Sequence, residues 1–329
     1  MSQDARVREF VTSFEALRSE VHKVIVGHDD VIASVLVGLF AGGHVLLEGA
    51  PGLGKTLLIR TLAEGLELSF SRIQFTPDLM PADVVGTNII VEDTDGRKHF
   101  EFQQGPIFAH ILLADEINRA TPKTQSALLE GMQEGSATVG GATRKLPAPF
   151  FVLATQNPIE LEGTYPLPEA QLDRFIFNTL LDYLSAGQEM EVLGLTTTTH
   201  QAQVDAVTGA EEILDFQQVV RMVPIADSVA RYAVDLVRAT RSTDDTAPDF
   251  IKKYVNFGGS VRAAQFLVLA SKARALMRHR YHVSYEDVIS LVRPILRHRI
   301  LLNFQAESDR LSQDNILERL LEAMPPPKA

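Results

Sequence analysis

Eight residues, GAPGLGKT at 49–56, have the types and spacing to hold a chain of phosphates. Gly49, Ala50, Pro51, Gly52, Leu53 and Gly54 form a small-residue turn whose backbone N–H groups can point together at phosphate oxygens. Lys55 follows as the cation for the β- and γ-phosphates, and the Thr56 hydroxyl is a ligand for Mg2+. From Leu57 the spacing is helical, LLIRTLAEGL, so the positive end of a helix lies under the phosphates. An accidental glycine-rich turn does not explain every fixed position of this pattern between a strand and a helix.

Three other clusters extend that chemistry. ILLADE ends an apolar run on Asp115 and Glu116. Alone it reads as a buried strand meeting solvent; downstream of a phosphate loop it places Asp115 in the Mg2+ shell and Glu116 against an attacking water. FVLATQNP ends on Asn157, either a turn residue before Pro158 or a neutral amide that orients that water without repelling phosphate. GGSVRAA places Arg262 near a helix start, where a cation opposes the helix dipole and calls for an anion. A γ-phosphate reached from the second half of the chain would supply it.

These residues need elements to carry them. HVLLEG (44–49), LSFSRIQF (68–75), HILLAD (110–115), FFVLATQ (150–156) and FIFNTLL (175–181) are apolar runs of strand length. Such runs suit strands buried on both faces, in a parallel sheet covered by helices. The loop, the acid pair and Asn157 then converge at the carboxyl edge of an open α/β sheet. Alternating residues around DTDG and VGGAT predict two hairpins, within 86–108 and 134–150. EINRATPKTQSALLEGMQEG predicts a helix that starts near Asn118 and Arg119. Arg119 there is either a surface residue or a contact to an adjacent subunit. After residue 210 apolar spacing turns helical, with a helix start at Ser284, Glu286 and Asp287. LTTTTHQAQVDAVTG (195–209) reads as an exposed connection or a frayed helix end.

GAPGLGKT, LLADEINRA, ATQNP, LPEAQLDRF and GGSVRAA occur in an order and at intervals that resemble MoxR-type AAA+ ATPases. The resemblance extends from VIVGHDD (24–30) to the C-terminal helices. It implies an α/β AAA+ core with a parallel sheet and inserted hairpins over 1–183, then a smaller all-helical lid domain over 184–329. The unusual stretch 184–210 leaves the start of the lid open. The resemblance makes Lys55 and Thr56 the Walker A pair, Asp115 and Glu116 the Walker B pair, and Asn157 sensor 1. Arg174 would be the arginine finger, Arg262 the sensor 2 arginine, and Val26 and Gly27 the segment packing on adenine. His28 departs from the usual Gln at its position and would do no more than line that pocket.

The implied activity is Mg2+-dependent ATP hydrolysis by a ring, a hexamer, that remodels or matures a client protein. In this family the client is often a von Willebrand factor A-domain protein, sometimes with metal insertion, and the hairpins would face the pore. Within LPEAQLDRF, Arg174 lies on the far side of the sheet from its own phosphate loop. In a ring it can serve the neighbouring loop, with Asp173 and Glu169 orienting it. The other reading is a local surface ion pair.

Bulk properties trim the alternatives. The net charge is −11, and residues 1–183 hold 14 Lys+Arg against 24 Asp+Glu, while 184–329 hold 17 against 18. An acidic first half disfavours general affinity for nucleic acid or anionic lipid. The basic clusters Lys272–Arg280 and Arg293–Arg299 read as solvated faces or subunit contacts. No cysteine is present, so disulfides and thiolate metal sites are excluded. The N-terminus has no signal-peptide core, and Val31–Leu47 is too broken to span a bilayer, so a cytoplasmic protein is expected. Two rivals remain, a nucleic-acid-stimulated motor and a nucleotide-gated scaffold; an intact Glu116 argues against the second.

Overall fold

A computed structural model describes residues 3–50, 52–157, 163–197 and 202–327. Helices α1 (Gln3–His22) and α2 (Asp29–Phe40) precede β1 (His44–Gly49), α3 (Lys55–Gly65) and β2 (Phe70–Gln74). A short α4 (Pro81–Val85) leads into the hairpin β3 (Gly86–Glu92) and β4 (Lys98–Gln104). Then come β5 (Ile111–Asp115), α5 (Pro122–Glu134), the hairpin β6 (Ser136–Val139) and β7 (Ala142–Lys145), β8 (Phe151–Gln156), α6 (Glu169–Leu172) and β9 (Phe175–Leu181). The second half holds α7 (Ala186–Thr196), α8 (Ala210–Met222), α9 (Asp227–Ala239), α10 (Asp249–Tyr254), α11 (Val261–Met277), α12 (Tyr285–Leu296), α13 (Phe304–Ser308) and α14 (Gln313–Ala323).

The five apolar runs form one sheet in the order β2-β5-β8-β1-β9, every neighbouring pair parallel. β5, β8, β1 and most of β9 are buried, as their composition requires, with helices on both faces. β2 is different: as an edge strand it is only partly buried, which leaves room for the polar Arg72 and Gln74. Both hairpins form. The β6–β7 turn is Gly140–Gly141, each with positive φ, the two-residue turn whose twist matches the strands. The hairpins touch each other through Gly140 against Asn88 and through Arg144 stacked 3.8 Å over the Phe102 ring.

Two local expectations change. Ile117–Arg119 is a single 3-10 turn, and the helix starts only at Pro122, so Arg119 is not at the helix start. Residues 186–196, ambiguous in sequence, are helical, because Ser185 caps the first turn reciprocally with Gln188. Of the connection expected over 195–209, residues 198–201 lie outside the described residues, and 202–209 is an irregular, partly exposed link that is pinned: Val207 N–H donates to Gly65 O at 2.8 Å and Asp205 N–H to Glu20 at 2.9 Å.

The second half is helical apart from a short antiparallel ribbon, Val255–Phe257 with Leu301–Leu302. It packs on the first half without a break. Phe10 and Phe40 make edge contacts with Phe216, with ring centroids 5.4 and 6.3 Å away, inside one apolar cluster that includes α1, α2, β9, α8 and α11. The helical half therefore rests on the β9 side of the sheet and on α1 and α2.

Candidate nucleotide site

The phosphate loop leaves β1 at Gly49, where any Cβ would stand 2.6 Å from Leu181 O on β9. Gly52 and Gly54 both have positive φ and open space where a Cβ would point, which leaves a cradle of bare backbone. Pro51 lies outside the described residues. Gly54 caps α3 without any side chain, and the first turn of α3 has no acidic residue, so its N–H groups are available to an anion. Lys55 Nζ donates to Gly49 O at 2.9 Å across the loop. Burial pushes the Lys55 ammonium below its usual pKa, while Asp115 and Glu116 pull it back, which places all three in one electrostatic unit. Leu57, on the first turn of α3, is exposed.

The acid pair is at the tip of β5. Asp115 Oδ1 accepts the Thr155 hydroxyl at 2.6 Å, and Oδ2 accepts Arg72 Nη2 at 2.7 Å. Glu116 turns the chain with a left-handed φ of 55°, a strained setting for a residue with a side chain. Its N–H donates to Thr155 Oγ1 at 2.9 Å, and its carboxylate accepts from Gln74 at 2.8 Å and Arg119 at 3.0 Å. Thr155 therefore ties the Asp115 carboxylate and the Glu116 backbone to β8. Asn157, buried, leaves the end of β8, the strand between β5 and β1, so its side chain belongs to the same sheet edge. Thr155, Arg72, Gln74 and the Arg119 contact were absent from the sequence reading. Polar residues two apart on an edge strand, Arg72 and Gln74, were the available signal.

Val26 is buried, and Gly27 adopts φ +66° beneath α7, where a Cβ would come within 2.5 Å of Gln188 Nε2 and 3.0 Å of Leu184. His28 follows with φ 55°, held below its normal pKa by burial.

Arg174 and Arg262 are elsewhere. In the parallel register His44 pairs with Phe175 and Gly49 with Leu181, so Arg174 stands at the amino edge of the sheet. Five strand steps, about 16 Å, separate that edge from the loop. Arg262 is at the same edge, with Nη1 3.4 Å from Asp173 Oδ2. Arg262 is thus on the opposite edge from its own phosphate loop, carried there by the helical half on the β9 side. Asp173 makes no direct pair with the Arg174 side chain: its carboxylate is engaged by Arg299, Ser260 and Arg262, and Arg174 donates to Leu129 O on α5. Glu169 opens α6 a turn earlier.

A family model described as ATPase family associated with various cellular activities matches residues 44–177, and an AAA lid domain model matches 250–320. The Chaperone MoxR1 of Mycobacterium tuberculosis is 43% identical over 97% of this chain and 83% of its own length. The chain belongs to the MoxR family of AAA+ ATPases. Protein MoxR of Methylorubrum extorquens is 28% identical over 98% of both chains. A crystal structure of a candidate ATPase from Cytophaga hutchinsonii superposes with a TM-score of 0.92 at 40% identity, covering 99% of this chain and 98% of the other. The MoxR-family chain is thus an ATPase with a parallel-sheet AAA+ domain and a lid. Among its described residues no helix is long and apolar enough to cross a membrane.

Proposed function

We propose that the chain hydrolyses Mg·ATP in a homo-oligomeric ring, a hexamer, and uses the cycle to remodel or mature a client protein. The observation that carries this reading is the division of its machinery between opposite edges of one sheet. Lys55, Thr56, Asp115, Glu116 and Asn157 belong to the carboxyl edge, Arg174 and Arg262 to the amino edge. A head-to-tail ring brings the amino edge of one subunit to the carboxyl edge of the next.

The loop backbone and Lys55 bind the phosphates, and Glu116 takes the proton of the attacking water. Asn157 orients that water, and the two arginines of the neighbour stabilise charge as the γ-phosphoryl leaves. A finger arginine contributes on the order of 10³–10⁵ in rate. Thr56 and Asp115 fit Mg2+ through a hydroxyl and a carboxylate beside the loop, and the ion would supply charge neutralisation between phosphates.

Chaperone action is supported by the name of the M. tuberculosis relative. The family resemblance supports a von Willebrand factor A-domain client and metal-enzyme maturation, the acidic first half supports a ring with no need of nucleic acid, and the lack of a signal-peptide core in the N-terminal residues supports a cytoplasmic location. The test is capture with Glu116→Gln in ATP, compared with Lys55→Ala. A partner with an A-type domain held only by the Glu116 variant is the expected result; the same partners on both variants would contradict it.

A further inference from the structure

Between the two amino-edge arginines lies a contact set centred on Asp173 and Arg299. Arg299, buried behind β9, sends Nε to Asp173 Oδ1 at 2.7 Å and Nη2 to Asp173 O at 2.8 Å and Phe175 O at 2.6 Å. Its Nη1 reaches Ile176 O at 3.3 Å and Ile295 O. The carbonyls that flank Arg174 on both sides are therefore fixed by one guanidinium. β9 shifts register against β1 between Phe175 and Phe177, beside these carbonyls. Burial lowers the Arg299 pKa to about 10, with Asp173 opposing, so the guanidinium stays charged at neutral pH.

Asp173 carries the contact onward. Ser260 Oγ donates to its two oxygens at 3.1 and 3.4 Å, and Arg262 Nη1 approaches Oδ2 at 3.4 Å. Ser260 is also the N-cap of α11, accepting Arg262 N–H at 3.2 Å. Asp173 thus joins the backbone of one arginine to the side chain and helix start of the other. Only a planar, multidentate cation can hold so many oxygens at once, so lysine at 299 is no replacement.

We propose that Asp173 and Arg299 are positioning residues that lock Arg174 and Arg262 into one rigid unit, so that both meet the nucleotide of a second copy of this chain together. The proposal rests on the neighbour-site reading above. Neither residue touches the nucleotide. Their effect is on placement, and misplacement by about 1 Å can cost up to ~100-fold in rate.

The experiment uses full-length Asp173→Ala and the milder Asp173→Asn, the latter chosen to keep the fold if the former does not. Turnover, nucleotide affinity and mixing with Lys55→Ala are measured, with Arg174→Ala mixed in parallel. The expected result is turnover reduced by about 10- to 100-fold, nucleotide affinity within about twofold of the parent, and activity regained on mixing. Loss of affinity together with turnover, or no recovery where Arg174→Ala recovers, shows a merely structural role and overturns the proposal. Unchanged turnover in both variants also overturns it. If Arg174→Ala itself does not recover in mixed rings, the neighbour-site reading fails and takes the clamp with it.

Discussion

Asp173 and Arg174 are adjacent in the chain yet point their charges to different partners: Asp173 to Arg299 at 2.7 Å, Arg174 to the carbonyl of Leu129. A neighbouring acid that paired with Arg174 would neutralise it. Here the acid is occupied from the helical half, and the Arg174 guanidinium turns to a backbone carbonyl instead. The division follows from topology, since the helical half packs on the β9 side and brings Arg299 to Asp173.

Glu116→Gln removes the carboxylate proposed as base and keeps a side chain of the same size. Turnover is expected to fall by about 10²–10⁴ while nucleotide affinity is retained, because the loop and Lys55 are untouched. Parallel steady-state and binding measurements check this; hydrolysis near the parent rate would remove Glu116 from the reaction.

Thr155 hydrogen-bonds to both strand-tip carboxylate residues, accepting from Glu116 N–H and donating to Asp115. Thr155→Val keeps the shape and leaves a buried N–H and a carboxylate oxygen unpaired. Stability should fall by about 1–3 kcal/mol, read as a lower urea midpoint, with turnover lowered by ~10-fold or more.

Gly27→Ala places a methyl 2.5 Å from Gln188 Nε2 in a backbone with φ +66°. Weaker nucleotide binding with little change in turnover at saturation is expected. Adding Gln188→Ala should restore part of the affinity, since the clash goes and the backbone strain stays. Unaltered affinity in the single variant would separate this segment from the nucleotide.

His44 is buried at the start of β1, 3.1 Å from both Met132 O and Val152 N, and burial lowers its pKa from 6.5 to about 4. The folded state prefers the neutral ring, so its stabilising contribution is complete above pH 6.5 and is lost as pH falls through 4. The loss is about 3 kcal/mol. Urea unfolding between these pH values should show that slope, and His44→Gln should flatten it.

The residues that carry local signals were legible from the chain. HVLLEG and FIFNTLL became β1 and β9 at the expected positions, because a strand buried on both faces must be apolar throughout. The glycine loop was equally direct, since only glycine tolerates φ near +80° at Gly52 and Gly54 without strain. What escaped was long-range. The clusters Lys272–Arg280 and Arg293–Arg299 read as solvated faces or subunit contacts, yet Arg299 is buried against Asp173, 126 positions away, and within the helical half Arg274 and Arg280 hold the fully buried Asp287. Charge alone does not disclose a partner that the topology brings from the other half of the chain. The edge at which Arg262 stands was illegible for the same reason, because its location depends on where the helical half docks.

The central claim is that hydrolysis at one phosphate loop depends on arginines from another copy. The most direct measurement is the ATPase activity of mixtures of Arg174→Ala and Lys55→Ala subunits, each inactive alone. Mixed assemblies should regain activity in proportion to interfaces that join an intact loop to an intact arginine. Mixtures that assemble and stay inactive would contradict the account, leaving Arg174 as a local contact to α5.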